Sequence, residues 1–171
     1  VSIGGQDHIE DILRWCNDYF LRCTFRNLDG EVVAFAYQVG DGTTDHNYWG
    51  TPELQTTSRP AFFASSETPA SDHCAGAAAS LAINYLNFKD TDPEYAETCL
   101  DTALALYEFA KENRGLGFSV GFYNSSYDED EMSWAAVWLN IATGDSTYID
   151  DIISVDASGN YTGYMKKIIS T

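Results

Sequence analysis

The chain has 171 residues, of which 44% are hydrophobic, and its formal net charge is −17 at pH 7. This charge argues against nucleic acids and anionic membranes as partners, since both would repel the chain and no basic patch could release their counterions. A neutral polysaccharide suits the charge better, although an acidic surface also keeps secreted proteins soluble. No segment approaches the roughly 20 consecutive apolar residues of a membrane span.

The length is sufficient for one ordinary domain with a sizeable core, and we expect no domain boundary within residues 1–171. The first five residues, Val1 to Gly5, contain neither a basic start nor an apolar run, so they do not predict a signal peptide. We therefore expect this chain to be an internal piece of a longer, soluble polypeptide.

The first predicted helix runs from about Asp7 to Cys23. Its apolar residues recur at spacings of three and four, which is typical of an amphipathic helix. They are Ile9, Ile12, Leu13, Cys16, Tyr19, Phe20 and Cys23. Cys16 and Cys23 would lie about 10 Å apart along this helix, beyond disulfide reach. No pair has the spacing of a zinc site, so we expect all four cysteines, including Cys74 and Cys99, to be mostly free, buried thiols.

A strand is predicted only at Glu31 to Val39, as one arm of a short hairpin. The overlapping segment from Tyr37 to Glu53 combines glycines, a lone histidine and two aromatic residues without a helical period. Such a composition is typical of a loop that holds a polar ligand against ring faces. Read alone, this segment predicts a sugar-binding loop.

The rest of the chain is predicted to be mainly helical. An alanine-rich helix begins at Asp72 as N-cap, and its small side chains allow close packing. A further helix starts after Asp92-Pro93 and ends near Asn113. The later helices span Asp130 to about Thr143, closed by Gly144, then Thr147 to Ile153, and Tyr161 to Ile169. This pattern predicts an all-α domain whose chemistry lies on its loops.

Four ordered blocks carry a resemblance to a known family. They are the loop at 37–53, Ser58-Arg59-Pro60-Ala61-Phe62, Ser71-Asp72, and Tyr123-Asn124-Ser125 followed by Asp130 to Leu139. Their order and spacing resemble glycoside hydrolase family 9, the cellulase family with an (α/α)6 barrel. The resemblance implies that about half of the toroid lies in this chain. It also implies a secreted enzyme that cleaves β-1,4-glucosidic bonds of cellulose with inversion.

The same resemblance implies sugar-binding residues. His46 matches a histidine that hydrogen-bonds sugar hydroxyls, and imidazole suits this role because it both donates and accepts. Trp49 matches a tryptophan of the same loop, whose alternative role is a loop anchor in the core, and Tyr48 stands where many members have another aromatic. Phe122 and Tyr123 match two aromatics that enter the same cleft.

Two departures from the family pattern follow Tyr123. The segment between Tyr123 and Asp130 is one residue shorter, and the tryptophan often found two residues after the asparagine is absent. A stacking platform at Ser125 or Ser126 is therefore lost or supplied elsewhere.

The acidic run from Asp128 to Glu131 has two interpretations. Carboxylates at a helix start favour the positive end of the helix dipole. The resemblance instead implies structural Ca²⁺, which several members bind through a serine backbone oxygen and the Asp-Glu pair, here Ser126, Asp130 and Glu131. No organic cofactor is expected.

The family's catalytic motifs are not found in this chain. The Asp-Ala-Gly-Asp motif near the start of the family domain and the late acid glutamate have no match, and Asp156-Ala157-Ser158-Gly159 predicts a turn. We expect the catalytic carboxylates, and any carbohydrate-binding or dockerin module, to lie outside these residues. A barrel portion alone should leave apolar faces without partners, such as those of Ala75, Ala79, Trp134 and Trp138.

Three alternatives stay open. One is a non-catalytic sugar-binding module of the same fold that lost the reactive carboxylates. Another is a cellobiohydrolase type of processing, which releases cellobiose from chain ends. The third is a structural helical domain whose acidic loop binds calcium for stability alone.

Overall fold

The computed structural model describes residues 4–119 and 121–170. In chain order, these residues form helix α1 (Gln6–Cys23), strands β1 (Thr24–Arg26) and β2 (Val32–Val39), helix α2 (Gly42–Asn47), strand β3 (Ala61–Ala64), and helices α3 (Ser71–Phe88), α4 (Pro93–Glu112), α5 (Glu129–Thr143), α6 (Thr147–Ile153) and α7 (Met165–Ser170). A short 3-10 turn spans Pro52–Leu54. None of the described helices is both long enough and apolar enough to cross a membrane.

Helix α3 is the centre of the fold, because both α4 and α5 pack against it. Small side chains on one helix let the backbones of its neighbours approach closely. The buried alanines of α3 are Ala75, Ala77, Ala78, Ala79 and Ala82. Larger side chains from all three helices then fill the space between them, including Leu81, Tyr107, Met132 and Leu139, all of which are fully buried.

The helix ends follow the local chemistry of the sequence. Asp92 caps α4 by accepting a hydrogen bond from the Tyr95 amide at 3.3 Å, and Pro93 occupies the first turn. Asp92 also accepts a 2.8 Å bond from Arg14, which joins α1 to α4 and, with the Tyr95 amide, lowers the pKa of this carboxyl. Gly144 ends α5 with a φ of 76°, a left-handed conformation that glycine adopts without strain.

A small antiparallel sheet, in the order β1-β2-β3, lies beside the helices. Phe35 of β2 pairs with Thr24 on one side and with Ala64 on the other, and its ring is buried in the core. The prediction of a single hairpin arm was therefore incomplete, because β1 and β3 are only three and four residues long and carry little alternation. Strand β2 ends directly before the glycine-rich loop and thereby fixes where that loop begins.

Several predicted boundaries were wrong. Helix α3 begins at Ser71 with Ala70 at the cap position, so Asp72 lies inside the first turn and does not cap the helix. The last helix begins at Met165, because Tyr161 instead forms a β-bridge with Val155. The loop at 37–53 contains the short helix α2 as well as the 3-10 turn.

Expectations about burial were partly confirmed. Cys23, Cys74 and Cys99 are free and buried, whereas Cys16 is exposed on the outer face of α1. Ala75 and Ala79 are fully buried, contrary to the expectation that they would lack partners, because α4 and α5 supply the contacts within this chain. Trp134 is half exposed, and Trp138 packs against the core.

The apolar stripe of α1 has the predicted helical spacing, but the described elements cover only part of it: Cys23 is buried and Phe20 packs against the core. The exposed members of the stripe are Ile9, Ile12, Cys16 and Tyr19, and Trp15, which lies next to Cys16 in the chain, is exposed as well. On α5, Trp134, Val137 and Ile141 are also exposed. Contiguous apolar surface of this kind promotes association in water.

We predict that the chain by itself self-associates through the α1 face. Trp15, which is 79% exposed, should contribute to this association, so Trp15→Glu should increase the monomer fraction in size-exclusion chromatography with light scattering while leaving the melting temperature within ~2 °C. Leu28 is fully exposed on the β1–β2 turn and is not part of α1, and Leu28→Glu is the matched control. Equal effects of the two substitutions would show that the α1 face is not the contact surface.

Candidate functional site

A cleft of about 420 Å³ opens where the loop after β2 faces the segment between α4 and α5. Three of the sequence-predicted residues, His46, Phe122 and Tyr123, line it together. The remaining lining comes from Gln38, Val39, Gly40, Gly42, Asp45, His73, Gly117, Phe118, Ser119 and Ser125. Two imidazoles and three aromatic rings thus surround a space that is large enough for a small polar ligand.

His46 is presented by α2, which is held at its start by Asp41. The Asp41 carboxylate accepts bonds from the hydroxyl and amide of Thr44, at 2.7 and 2.8 Å, and these bonds lower its pKa. The His46 ring stacks on Phe122 with 4.2 Å between ring centroids and 27° between planes. Within residues 4–119 and 121–170, neither ring nitrogen of His46 has a hydrogen-bond partner. Both nitrogens are therefore available to a ligand.

The loop that carries α2 is fastened by an ion pair. Arg59 donates to both carboxylate oxygens of Asp45, at 3.0 and 3.1 Å, and to the carbonyl of Val39 at 3.1 Å. Gln55 adds a 2.6 Å bond to Asp45. Gly40 has a φ of 103°, and a Cβ there would lie 2.5 Å from Asp45 and 2.6 Å from Arg59. The Arg59 block of the sequence thus has a structural role in shaping the cleft.

The opposite wall is built on the first turn of α3. Asp72 is buried, and its Oδ1 accepts bonds from the His73 amide and Nδ1, each at 2.9 Å, and from the Gly117 amide at 3.0 Å. Burial alone would raise the pKa of Asp72, but the bonds from His73 and Gly117 outweigh it, so the pKa is lowered. The Phe118 amide donates to the Tyr37 hydroxyl at 3.0 Å. This arrangement fixes the 117–118 backbone as one side of the cleft.

A second cluster secures the segment that leads to Phe122 and Tyr123. Arg114 pairs through two nitrogens with the buried Asp128, including a 2.6 Å bond from Nε to Oδ2. Ser71 donates to the same carboxylate, and its Oγ accepts from the Gly115 amide at 2.8 Å. Burial opposes ionisation of Asp128, but Arg114 and Ser71 lower its pKa overall. This cluster therefore anchors the segment between α4 and α5 near both of its ends, at Arg114 and Gly115 on one side and at Asp128 on the other.

The structure places the other predicted sugar-binding residues outside this cleft. Trp49 is 96% exposed, so it is not a core anchor, and its role in binding remains a prediction. Tyr48 donates to the Thr51 carbonyl at 3.1 Å and does not line the cleft. Sequence reasoning missed His73, Gly117 and Phe118. The pairing of an aspartate with a following histidine at a helix start was the available signal for His73.

Of the predicted calcium residues, Asp130 and Glu131 lie in the first turn of α5, and Ser126 precedes the helix. Asp130 and Ser126 are exposed, whereas Glu131 has one carboxylate oxygen, Oε2, that is buried without a hydrogen-bond partner among the described residues. Burial raises the pKa of Glu131 to about 7, assisted by a hydrogen bond with Asp130 and by repulsion from Asp130 and Asp72. Asp72 Oδ2 is likewise buried and unpaired within the described part of the chain. A cation would relieve this repulsion.

Carboxylate oxygens fit a hard cation such as Ca²⁺ in kind. Within residues 4–119 and 121–170, however, no group of three or more His, Cys, Asp or Glu side chains has a geometry that could hold a metal ion. Glu131 and Asp130 would therefore need backbone oxygens, such as that of Ser126, to complete a coordination shell.

A larger cavity of about 660 Å³ lies between the β1–β2 turn and α4. Its polar rim consists largely of acidic residues, including Asp29, Asp101 and Glu108, together with Arg26. Arg26 is already paired with Asp101 at 2.8 Å, and none of the predicted ligand residues lies there. We regard the smaller cleft as the functional site, because it brings unpaired imidazole nitrogens and ring faces together.

Comparison with known proteins gives a consistent result. The sequence matches the family model "Glycosyl hydrolase family 9" over residues 2–169. Endoglucanase 15 of Arabidopsis thaliana is 39% identical over 152 residues, which cover 86% of this chain and 30% of that protein. The catalytic domain of Clostridium thermocellum CelT is 50% identical, with a TM-score of 0.80 over 84% of this chain and 30% of the other.

Cel9M of C. cellulolyticum, solved in complex with cellobiose, is 42% identical, with a TM-score of 0.78 over 85% of this chain and 33% of the other. The chain therefore spans about a third of the length of these relatives. The structural matches confirm the predicted fold class, a partial (α/α)6 barrel, to which the small sheet is appended.

The raised pKa of Glu131 leads to a prediction about how the stability of the fold depends on pH. Its pKa in the fold, about 7, exceeds the ordinary value of 4.5, so the folded state favours the protonated form, and this stabilisation is lost as pH rises through 7. Glu131→Gln mimics the protonated form. In metal-free protein, it should raise the melting temperature by roughly 3 °C at pH 8 and leave it unchanged at pH 4.

The control for this pH experiment is Glu97→Gln, since Glu97 is exposed on α4. It should leave the melting temperature unchanged at both pH values. A Glu131→Gln protein that is less stable than the parent at pH 8 would contradict the raised pKa.

Proposed function

The chain belongs to glycosyl hydrolase family 9, and we propose that it forms part of the catalytic domain of a secreted endo-β-1,4-glucanase that hydrolyses cellulose with inversion. The neighbour Cel9M was solved with cellobiose, which is the repeating unit of cellulose. The ligands of this chain are accordingly cellulose and β-1,4-gluco-oligosaccharides.

The observation that carries the proposal is the stacking of His46 on Phe122 in the lining of the cleft. Stacking at 4.2 Å fixes the imidazole in one orientation while both its nitrogens lack partners in the described part of the chain. A sugar ring presents apolar C–H faces to aromatic rings such as Phe122 and Tyr123, and hydroxyls to polar groups at its edge. The cleft contains both kinds of group in contact with one space.

The chain contributes positioning of the substrate and not the proton transfers. Asp45 is the single carboxylate among the described residues that line the cleft, and it is held by Arg59 and Gln55. Inversion requires one carboxylic acid to protonate the leaving oxygen and a second carboxylate to activate water. Both groups would come from parts of the domain outside this chain. Positioning by itself lowers a reaction barrier by several kcal/mol.

The proposal also includes a structural Ca²⁺ ion, bound by Asp130, Glu131 and a backbone oxygen of Ser126. The buried, unpaired Oε2 of Glu131 supports this, because a bound cation would supply the partner that the described residues lack. Carbohydrate-binding or dockerin modules would be appended outside the chain.

The test of function uses the full-length protein that carries this chain, assayed on cellotetraose and on carboxymethyl cellulose. We predict hydrolysis by the full-length protein and no turnover by the 171-residue chain alone. His46→Ala in the full-length protein should lower kcat/KM about tenfold, equivalent to ~1.4 kcal/mol of transition-state stabilisation. The melting temperature should change little, because His46 makes no described hydrogen bond.

His8→Ala is the control, since His8 is exposed on α1 outside the cleft. Binding of cellotetraose without any hydrolysis by the full-length protein would favour a sugar-binding module. Release of cellobiose alone would favour processing from chain ends. Turnover by the isolated chain within tenfold of the full-length protein would overturn the placement of the catalytic groups.

Calcium is tested by chelation. We predict that a chelator lowers the melting temperature of metal-replete protein and that excess Ca²⁺ restores it, because a ligand that binds only the folded state stabilises it by mass action. Glu131→Gln should abolish this dependence, and Glu97→Gln should retain it. Identical melting curves with and without chelator would show that the acidic run is a solvated helix start and does not bind calcium.

A further inference from the structure

His73 lies in the cleft but is not one of the residues that the sequence resemblance assigns to sugar binding. It occupies the first turn of α3, on the wall opposite the loop that carries His46. Its side chain is 40% exposed and lines the same space as Phe122 and Tyr123. The cleft therefore presents two imidazoles from two separate elements.

Three contacts hold the His73 ring in place. Nδ1 lies 2.9 Å from Oδ1 of Asp72. The ring lies against Tyr37, with 4.7 Å between centroids. On the side facing Gly117, a Cβ would lie 2.5 Å from Nδ1 and Cε1 of His73, so the absence of a side chain there allows the close approach. A ring held by three elements loses little further freedom when it binds a ligand.

The pairing with Asp72 decides which nitrogen carries the proton. Asp72 is buried and accepts three hydrogen bonds, and hydrogen bonding keeps it ionised at neutral pH. An ionised carboxylate can only accept, so Nδ1 of His73 is the donor. In the neutral ring, Nε2 is then an acceptor. Within residues 4–119 and 121–170, no group donates to Nε2.

We propose that His73 is a sugar-binding residue whose Nε2 accepts a hydrogen bond from one hydroxyl of a β-1,4-gluco-oligosaccharide. The inference rests on the proposed function, and it assigns a specific contact within the cleft. Sugar hydroxyls suit this acceptor, because each carries a proton to donate and two lone pairs to accept from other groups. The Asp72–His73 pair thus orients the imidazole so that its Nε2 can accept a hydrogen bond at the cleft surface.

The experiment measures kcat/KM of the full-length protein on cellotetraose and on cellotetraoses that each lack one hydroxyl. Three variants are compared with the parent. His73→Val removes both polar positions, His73→Asn keeps a polar group near the position of Nδ1, and His73→Gln keeps one near the position of Nε2. Melting temperatures of all variants confirm that they are folded.

We expect His73→Val and His73→Asn to lower kcat/KM about fivefold, which corresponds to the loss of one neutral hydrogen bond. His73→Gln should lower it less than about twofold. One deoxygenated substrate should lose about fivefold with the parent and nothing further with His73→Val, because the two changes remove the same bond. Should His73→Val fail to fold, the Asn and Gln variants carry the same comparison.

A merely structural role gives a different pattern. If His73→Asn behaves as the parent while His73→Gln is impaired, His73 serves to hold Asp72 and the inference is overturned. It is also overturned if the effects of substitution and deoxygenation simply add for every hydroxyl. A full-length parent that neither binds nor cleaves cellotetraose would instead refute the proposed function itself, whereas an active parent with three unaltered variants would refute only the role of His73.

Discussion

Close packing of α3 against α4 and α5 is the constraint on which the rest of the structure depends. Five buried alanines on α3 allow the approach, and the volume they leave is filled by the larger side chains of the neighbouring helices, such as Tyr107 and Met132. Adding a methylene to such an interface forces side chains out of their preferred rotamers. The position of the α3 backbone, and with it the position of its first turn, is therefore tightly determined.

The first turn of α3 transmits this rigidity to the cleft. Ser71 reaches Asp128 and the Gly115 backbone, while Asp72 reaches His73 and Gly117. Two consecutive residues thus fix the backbone at Gly115 and Gly117, although residues 114–119 have no regular secondary structure. On the other side of the cleft, β2 and the Asp45–Arg59 pair have the same effect on the α2 loop. Both walls of the site are loops held by rigid elements.

Local signals in the sequence explain which features could be predicted. The bounds of α1, α4, α5 and α6 were predicted to within one or two residues, because apolar periodicity, Pro93 and Gly144 are strong local signals. Strands β1 and β3 and the role of Asp72 were missed, since each depends on a partner distant in sequence, such as Phe35 or Gly117. His46, Phe122 and Tyr123 were brought together as expected, whereas His73 could be recognised only once its neighbours were known.

The electrostatics of the cleft suit an uncharged ligand despite the net charge of −17. Asp45 is compensated by Arg59, and Asp72 by three N–H donors. Glu131, with a pKa raised to about 7, is substantially protonated at neutral pH unless a cation binds it. The carboxylates nearest the cleft are therefore paired, hydrogen-bonded or partly neutral. Uncompensated charge there would hold tightly bound water that a sugar must displace, so a cleft whose free polar groups are mainly imidazoles suits the neutral polysaccharide proposed above.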